Sequence, residues 1–194
     1  MAVDPLSSRP LDLLYVAFFI IHIPCSMLVD FQAFYPSWIP TAYKLPALAN
    51  WYLATYGDPV LAGGMGLHGR PVDVIWLKSF FYIEALFQFP VFFIGAWALY
   101  NNRRAWYPLL IAYGASTATT LIPCIAYIIA YPSANKPVLD FATMTSSQKA
   151  QVIGMFGPWV VIPALMALDL SLRVVKTLRA ADLASQPASE KKTQ

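Results

Sequence analysis

The sequence is poor in charged residues: aspartate, glutamate, lysine and arginine make up 12% of its 194 residues, where a soluble domain has about 25%. Hydrophobic residues make up 58%, and the mean hydropathy is +0.55. This balance argues against a soluble enzyme, and the net charge of +3 is too small to indicate nucleic-acid binding. At about 20 apolar residues per crossing, the sequence predicts about four membrane-spanning helices in one domain.

Cysteine and histidine are scarce as well. Cys25 and Cys124 both lie in apolar segments, which predicts buried thiols and not a disulfide framework. His22 and His68 belong to no ligand-spacing motif, so neither a metal nor another cofactor is expected. The sequence also lacks a nucleotide-binding fingerprint and a serine–histidine–acid signature. The candidates for function are therefore isolated polar residues within apolar segments.

Four apolar segments are long enough to cross a membrane as helices. They cover residues 13–29, 74–100, 105–131 and about 152–175. Each contains an internal proline, which removes a helix hydrogen bond and bends the helix. These prolines are Pro24, Pro90, Pro123, Pro158 and Pro163. Four bent helices can enclose a cavity, so we predict an all-α, polytopic four-helix bundle with proline-kinked helices; the alternative is that these prolines are tolerated without function.

The basic residues predict the orientation of the bundle. Arg103 and Arg104 follow the second apolar segment, and Arg173, Lys176 and Arg179 end the fourth. The positive-inside tendency places both groups in the cytosol. Residues 1–10 and the tail 176–194 are then cytosolic, and a loop over about residues 30–73 is lumenal. Residues 180–194 are polar and expected to be disordered.

The lumenal loop is too long and too aromatic for a simple linker. Its residues 45–56 predict a short amphipathic helix on or over the mouth of the bundle. Gly57-Asp58-Pro59 predicts the end of that helix, followed by an N-cap aspartate and a first-turn proline. The glycine-rich residues 63–71 predict a flexible hairpin or insertion.

Two acids lie within or beside apolar segments: Glu84 in the middle of the second and Asp30 at the end of the first. Because an ionised carboxylate at membrane depth is costly, such residues usually face a partner or a cavity. Gln88 lies one turn after Glu84, on the same helix face. Two acids in one apolar site would share a proton and could bind a cationic amine or protonate a substrate. The alternatives are that Asp30 caps its helix and that Glu84 is a structural hydrogen-bonding residue.

His22 lies eight residues before Asp30, roughly on the same helix face. It could relay a proton or bind a ligand, or it could be a histidine that only packs between helices. The hydroxyl groups of residues 116–120 more often bond their own helix backbone than a ligand.

Several short motifs follow one another in a recognisable order. They are His22-Ile23-Pro24, Asp30-Phe31-Gln32-Ala33, Glu84-x-x-Phe87-Gln88-x-Pro90, Thr119-Thr120-Leu121-Ile122-Pro123 and Pro158-x-x-x-Ile162-Pro163. Together they resemble the sigma-2-receptor branch of the EXPERA family, which also contains the emopamil-binding protein, a sterol isomerase. The resemblance extends over about residues 11–175 and implies a four-helix transmembrane domain, often a homodimer, in the endoplasmic-reticulum membrane.

The resemblance also implies a membrane-embedded pocket for sterols and lipophilic amines. In it Asp30 would be the counter-ion of the amine, and Glu84 would hydrogen-bond and orient it. The implied lining residues are His22, Tyr52, Gln88, Thr120, Phe156 and Trp159. Asp58 would hold the lumenal loop. The chain departs from this branch at Cys124, at Phe156 and Trp159, where the branch has tyrosines, and in residues 63–70, which the branch lacks.

The favoured hypothesis is a non-enzymatic protein that binds sterols or lipophilic amines and acts in intracellular sterol and lipid homeostasis. Its implied partners are membrane lipid, a second copy of the chain and a sterol-transport protein, and no nucleic acid. The alternative is a sterol double-bond isomerase or cyclase in which Glu84, Asp30 and His22 transfer protons. A structural membrane chaperone is a third class, but it leaves the buried acids unexplained.

The last residues of the sequence bear on location. Lys191 and Lys192 are followed by two further residues, which resembles the dilysine retrieval signal of endoplasmic-reticulum membrane proteins. The alternative is a solvated basic tail. Because such a signal is read in the cytosol, where the basic residues place this tail, we expect residence in the endoplasmic reticulum with both termini cytosolic.

Overall fold

The computed structural model describes residues 4–35, 38, 45–136 and 142–185. Within these ranges the α-helices are α1 (Pro10–Leu28), α2 (Leu45–Tyr56), α3 (Pro59–Gly64), α4 (Ile75–Ile83), α5 (Phe89–Tyr100), α6 (Tyr107–Ala130) and α7 (Ser146–Ser185). A π-helical turn, Glu84–Gln88, joins α4 to α5. Short 3-10 turns occur at Leu6–Ser8, Asp30–Ala33 and Arg104–Trp106.

Four helical stretches within the described ranges are long and apolar enough to cross a membrane. They are Pro10–Gln32, Ile75–Tyr100, Arg104–Ala130 and Ser146–Ser185. The predicted all-α fold with four spans is therefore confirmed. Apolar side chains such as Ile21, Leu86 and Leu172 remain exposed on the outside of these helices, which is the surface that a protein of this kind presents to lipid.

The fourth span is longer than predicted. Its apolar segment was expected over about residues 152–175, but α7 is 40 residues long. At 1.5 Å per residue it measures about 60 Å, roughly twice the hydrocarbon thickness of a bilayer, so it projects beyond the membrane. The expectation of disorder is wrong for residues 180–185, where three alanines favour a continuing helix. Lys191 and Lys192 lie outside the described residues.

The second span is interrupted by a π-helical turn. Pro90 has no N–H, so the carbonyl of Leu86 loses the donor that it would have in an α-helix. The N–H of Phe89 instead donates to the carbonyl of Glu84, five residues earlier. The predicted proline kink therefore takes the form of a π turn, a feature frequent at functional sites. It lets α4 pack on α3 while α5 packs along α1.

Four of the five internal prolines, Pro24, Pro90, Pro123 and Pro158, lie on the exposed side of their helices, and Pro163 is buried. A proline ring pushes away the carbonyl four residues earlier, so the helix opens on the proline side and becomes concave on the other. Outward-facing prolines therefore favour helices that bow around an interior space.

A buried ion cluster fastens three helices at the end of the bundle where α1 begins. Asp12 is 1% exposed and accepts hydrogen bonds from Arg9 (2.6 Å) and Arg173 (2.6 Å). Arg9 also donates to two carbonyl groups at the end of α5 (2.8 and 3.0 Å). Arg173 also pairs with Asp169, one turn earlier in α7 (2.6 Å). The cluster therefore joins α1, α5 and α7.

A cap, defined here as residues 45–74, covers the opposite end of the bundle. Its helix α2 has the predicted bounds. Asp58 caps α3 by accepting hydrogen bonds from the amides of Val60 (2.8 Å) and Leu61 (3.3 Å), and Pro59 takes the first helical position. The predicted helix end, N-cap and first-turn proline are therefore confirmed.

The prediction of a flexible segment over residues 63–71 is wrong at its beginning. Gly63 and Gly64 are buried in α3. A Cβ at Gly64 would overlap the ring of Phe81, so the lack of a side chain there allows α3 to pack against α4. The loop begins after them, and Gly66 and Gly69 have the positive φ angles, 75° and 77°, that glycine adopts most readily.

Gly114→Ala is expected to destabilise the protein by roughly 1–3 kcal/mol. Gly114 lies in α6, where it faces α7. A Cβ at this position would lie 2.5 Å from the carbonyl oxygen of Pro163 and 3.1 Å from the amide nitrogen of Ala167, both in α7. Both are backbone atoms, so the added methyl group can be accommodated only if the two helices separate. Thermal unfolding of the purified protein in detergent micelles, followed by circular dichroism, measures the effect.

Gly157→Ala is the matched control for this substitution. A Cβ at Gly157 in α7 meets no atom within 4 Å, and alanine is the better helix former. The control should therefore melt at or above the wild-type temperature. A Gly114→Ala protein that also melted at the wild-type temperature would contradict the close contact between α6 and α7.

Candidate functional site

A cavity of about 300 Å³ lies between the spans and the cap. Ligand-binding pockets have volumes of about 300–1,000 Å³, so it is large enough for a small ligand. Its wall is mostly apolar but contains three carboxyl groups, those of Asp30, Asp58 and Glu84. Among the described residues that line it there is no lysine or arginine. The cavity is therefore an apolar space with an acidic character.

The structure brings all the predicted pocket residues together. Those that line the cavity are His22, Asp30, Tyr52, Glu84, Gln88, Thr120, Phe156 and Trp159. They come from α1, the turn after it, α2, the π turn, α6 and α7. Their roles in ligand binding stay predictions, since their positions show only that they share one space.

Glu84 is held at the wall by a residue that the sequence did not single out. The hydroxyl of Ser26, buried in α1, donates to Glu84 Oε1 (2.5 Å). The same oxygen lies 3.9 Å from His22 Nε2. Ser26 follows His22 by four residues, so both lie on one face of α1. That spacing was the signal available in the sequence, but serine is too common in membrane helices for it to stand out.

His22 both packs and lines the cavity. Its ring stacks on Phe92, with 4.3 Å between the ring centroids, and contacts Trp159 at 4.4 Å. Its Nδ1 atom is buried and makes no hydrogen bond to a described residue. The packing alternative is thus observed, and Nε2 is the nitrogen that faces Glu84.

Asp30 is the first residue of the 3-10 turn after α1. The helix ends at Leu28, so the predicted α-helical relation between His22 and Asp30 does not hold through the turn, although both residues line the cavity. Asp30 is within electrostatic reach of Glu84 and Asp58. No hydrogen bond or ion pair joins its carboxyl group to another described residue. Of the three acids, Asp30 is therefore the one whose carboxyl group has no hydrogen-bond or ion-pair partner among the described residues.

Asp58 has a structural role and also forms part of the wall. Its Oδ2 atom accepts a hydrogen bond from the Tyr52 hydroxyl (2.9 Å), while Oδ1 caps α3. Burial raises the pKa of the Asp58 carboxyl, an effect that these three hydrogen bonds oppose. Burial next to Asp58 also raises the pKa of the Tyr52 hydroxyl. These hydrogen bonds fix the cap to the cavity wall.

The cavity wall also contains one hydroxyl and two thiols, those of Thr120 and Cys124 in α6 and Cys25 in α1. Thr120 donates to the carbonyl of Ser116 in its own helix (3.0 Å), as expected for a membrane hydroxyl. Cys124 is buried and Cys25 half-buried, and both are free thiols. The two cysteines were predicted as buried packing residues, and their place in the cavity wall was missed. Among the described residues, no cluster of three or more metal-binding side chains occurs.

The comparison with known families agrees with this geometry. The sequence model of EXPERA (EXPanded EBP superfamily) matches residues 44–170, well over half of the chain. The chain belongs to the EXPERA family. The match begins just before α2 and ends within α7, so it includes Glu84, Gln88 and Thr120. The cavity residues that belong to α1 come before residue 44 and lie outside the matched range.

Similar proteins match a larger share of the chain than the family model does. The sequence is 30% identical over 166 residues to sigma intracellular receptor 2 of Xenopus tropicalis, with 84% of this chain and 89% of the relative covered. It is 26% identical over 168 residues to the Homo sapiens protein of the same name, with the same coverage. A Schizosaccharomyces pombe relative, efficient mitochondria targeting-associated protein 19, is 26% identical over 181 residues, covering 91% of this chain and 84% of the relative. The resemblance predicted from the motifs is confirmed.

Proposed function

We propose that this EXPERA protein binds sterols and lipophilic cationic amines within the membrane and acts in intracellular sterol and lipid homeostasis. The observation that carries the proposal is the apolar cavity with three carboxyl groups and no basic residue among its described lining. A ligand with a positive charge and an apolar body complements both properties. The names of two relatives, which describe them as intracellular receptors, support binding over catalysis.

The contacts assign different tasks to the acids. Asp58 already accepts three hydrogen bonds, and Glu84 accepts one from Ser26. Asp30 has no such partner among the described residues, so an ammonium group gains most by pairing with it. Glu84 then accepts a second hydrogen bond from the ligand and orients it. The hydroxyl of a neutral sterol would donate to the same acids.

The rest of the wall suits an apolar body. Leu77, Phe81, Leu121, Phe156 and Trp159 are among its apolar lining residues. Burial of such surface stabilises a complex by about 25 cal/mol per Å². The free energy of burying apolar surface is the same for a cation and for a neutral molecule of equal shape. The carboxyl groups of the cavity therefore decide which of the two binds more tightly.

A matched ligand series in lipid nanodiscs tests the proposal. The series consists of a lipophilic tertiary amine, an amide of the same shape that carries no charge, and a sterol that competes with both. We expect the amine to bind at least several-fold more tightly than the amide, and the sterol to displace it. Equal affinities for amine and amide, or no displacement by sterol, would contradict the proposal. Mass spectrometry of lipids that co-purify with the protein then identifies the native ligand.

We also propose that the protein resides in the endoplasmic reticulum with both termini in the cytosol, and that a second copy and a sterol-transport protein are its partners. Arg9 and Arg173 meet at one end of the bundle, which supports a shared cytosolic side. Selective permeabilisation of the plasma membrane should expose a C-terminal tag to antibody. Lys191→Ser/Lys192→Ser should release the protein to later compartments, whereas a tag hidden from antibody would mean the inverse topology.

One contact favours an enzyme as a second candidate. Glu84 Oε1 lies between the Ser26 hydroxyl (2.5 Å) and His22 Nε2 (3.9 Å), an arrangement that could hold and move a proton. A protonated acid could add that proton to a sterol double bond while a second group removes another. Incubation with Δ8-sterols in heavy water distinguishes the two functions. Deuterium incorporation that Glu84→Gln abolishes would establish the isomerase.

A further inference from the structure

The outer surface of the cap is poor in charge. Among residues 45–74 the charged ones are Asp58, Arg70 and Asp73. Asp58 is buried, and the other two form one exposed ion pair at 2.8 Å. The surface of a protein in water carries many more charges than this. Instead the cap exposes large apolar side chains, namely those of Leu48, Trp51, Leu67 and Val72.

One hydrogen bond between α2 and α7 fixes the position of the end of α2 along the axis of the fourth span. The side chain of Gln148, in the first turn of α7, donates to the carbonyl of Thr55 near the end of α2 (3.2 Å). The apolar part of α7 starts at Val152, four residues later. At 1.5 Å per residue this places the Thr55 end of α2 about 6 Å outside the apolar segment. The headgroup layer on each side of a bilayer is about 5–8 Å thick, so this end of α2 lies at its level.

We propose that the outer face of the cap, formed by Leu48, Trp51, Leu67 and Val72, is seated in the headgroup layer of the adjacent leaflet. Ile75, the exposed first residue of the second span, follows the exposed Val72 by three residues, with the ion-paired Asp73 and the buried Val74 between them. The cap therefore leads directly into a span whose first residue faces outward. Tryptophan is the residue type that membrane interfaces favour, since its ring is apolar and its N–H can reach water.

This placement has a consequence for the cavity, which rests on the proposed function. Tyr52 follows Trp51 in α2, and its hydroxyl is bonded to Asp58 on the cavity wall. Lipid on the outer face of α2 therefore holds Tyr52 against the wall from outside. Amine affinity should then be higher in bilayers than in detergent, and Trp51→Glu should remove most of that difference.

Fluorescence quenching in proteoliposomes tests the placement without any ligand. The chain has six tryptophans, so the signal of Trp51 is the difference between wild type and Trp51→Phe. We expect lipids brominated near the headgroup end of the acyl chain to quench this difference signal several-fold more than aqueous iodide does. Leu48→Trp in the Trp51→Phe background should restore a signal with the same quenching pattern.

Leu183→Trp is the aqueous control, because Leu183 is exposed in the projecting end of α7. Its signal should respond to iodide and not to brominated lipid. If iodide quenched the Trp51 signal as strongly as this control, the face would lie open to water or await a protein partner, and the proposal would be overturned. Because this readout needs no ligand, failure of the proposed function would leave it unaffected.

Discussion

Asp30→Asn is expected to weaken the binding of a lipophilic tertiary amine roughly ten- to a hundredfold. Asp30 is the cavity acid whose carboxyl group makes no hydrogen bond or ion pair with a described residue. It can therefore accept a full charge-assisted hydrogen bond from an ammonium group, which contributes about 1.5–3 kcal/mol. Asparagine keeps the size and the oxygen acceptor but removes the charge. Equilibrium binding to nanodisc-reconstituted protein measures the loss.

Two comparisons make this prediction specific. A neutral sterol should lose little affinity, because its hydroxyl can still donate to the asparagine oxygen. Asp73→Asn removes a charge that is exposed and paired with Arg70 outside the cavity, so it should change neither affinity. Unchanged amine binding by Asp30→Asn would refute the counter-ion assignment, whichever function the protein has.

Asp12→Ala is expected to cost roughly 3–5 kcal/mol of folding free energy. The substitution leaves the guanidinium groups of Arg9 and Arg173 without the buried carboxylate that accepts a hydrogen bond from each at 2.6 Å. It also weakens the link from α1 to α7 and, through Arg9, the link to the end of α5. Unfolding of the protein in mixed micelles, driven by increasing amounts of a denaturing detergent, measures the change.

Asp73→Ala is the control, because it breaks an ion pair that is exposed on both sides and such pairs contribute about 0–1 kcal/mol. The double variant Asp12→Ala/Arg173→Ala should be less destabilised than the sum of its single variants, since one of the two unpaired charges is removed. Additive losses, or an Asp12→Ala protein as stable as the control, would show that the cluster does not fasten the helices.

Features set by local rules could be predicted from the sequence. The four spans follow from the lengths of the apolar runs, and the bounds of α2 and the cap on α3 follow from Gly57, Asp58 and Pro59. Backbone hydrogen bonding and the missing N–H of proline act within one or two turns. A sequence pattern therefore contains all that is needed to predict them.

Local rules also explain the errors. The glycines at 63 and 64 suggested flexibility because the sequence does not show that Phe81 lies against them. The polar tail 180–194 suggested disorder, although the alanines of residues 180–185 continue a helix that is already formed. In both places a neighbour in space or in the preceding helix decided the structure.

The chain by itself determined that this is a four-span EXPERA protein with two acids, Asp30 and Glu84, in its apolar spans. Only the tertiary structure decided that Ser26 bonds Glu84 and that Asp12 meets Arg173, residues that are 58 and 161 positions apart. The physical reason is the bilayer. Lipid is as apolar as a protein core, so the outward and inward faces of a span have similar side chains and no periodicity marks the inner one. The rotation of each helix, and with it the cavity, is fixed only when the helices pack.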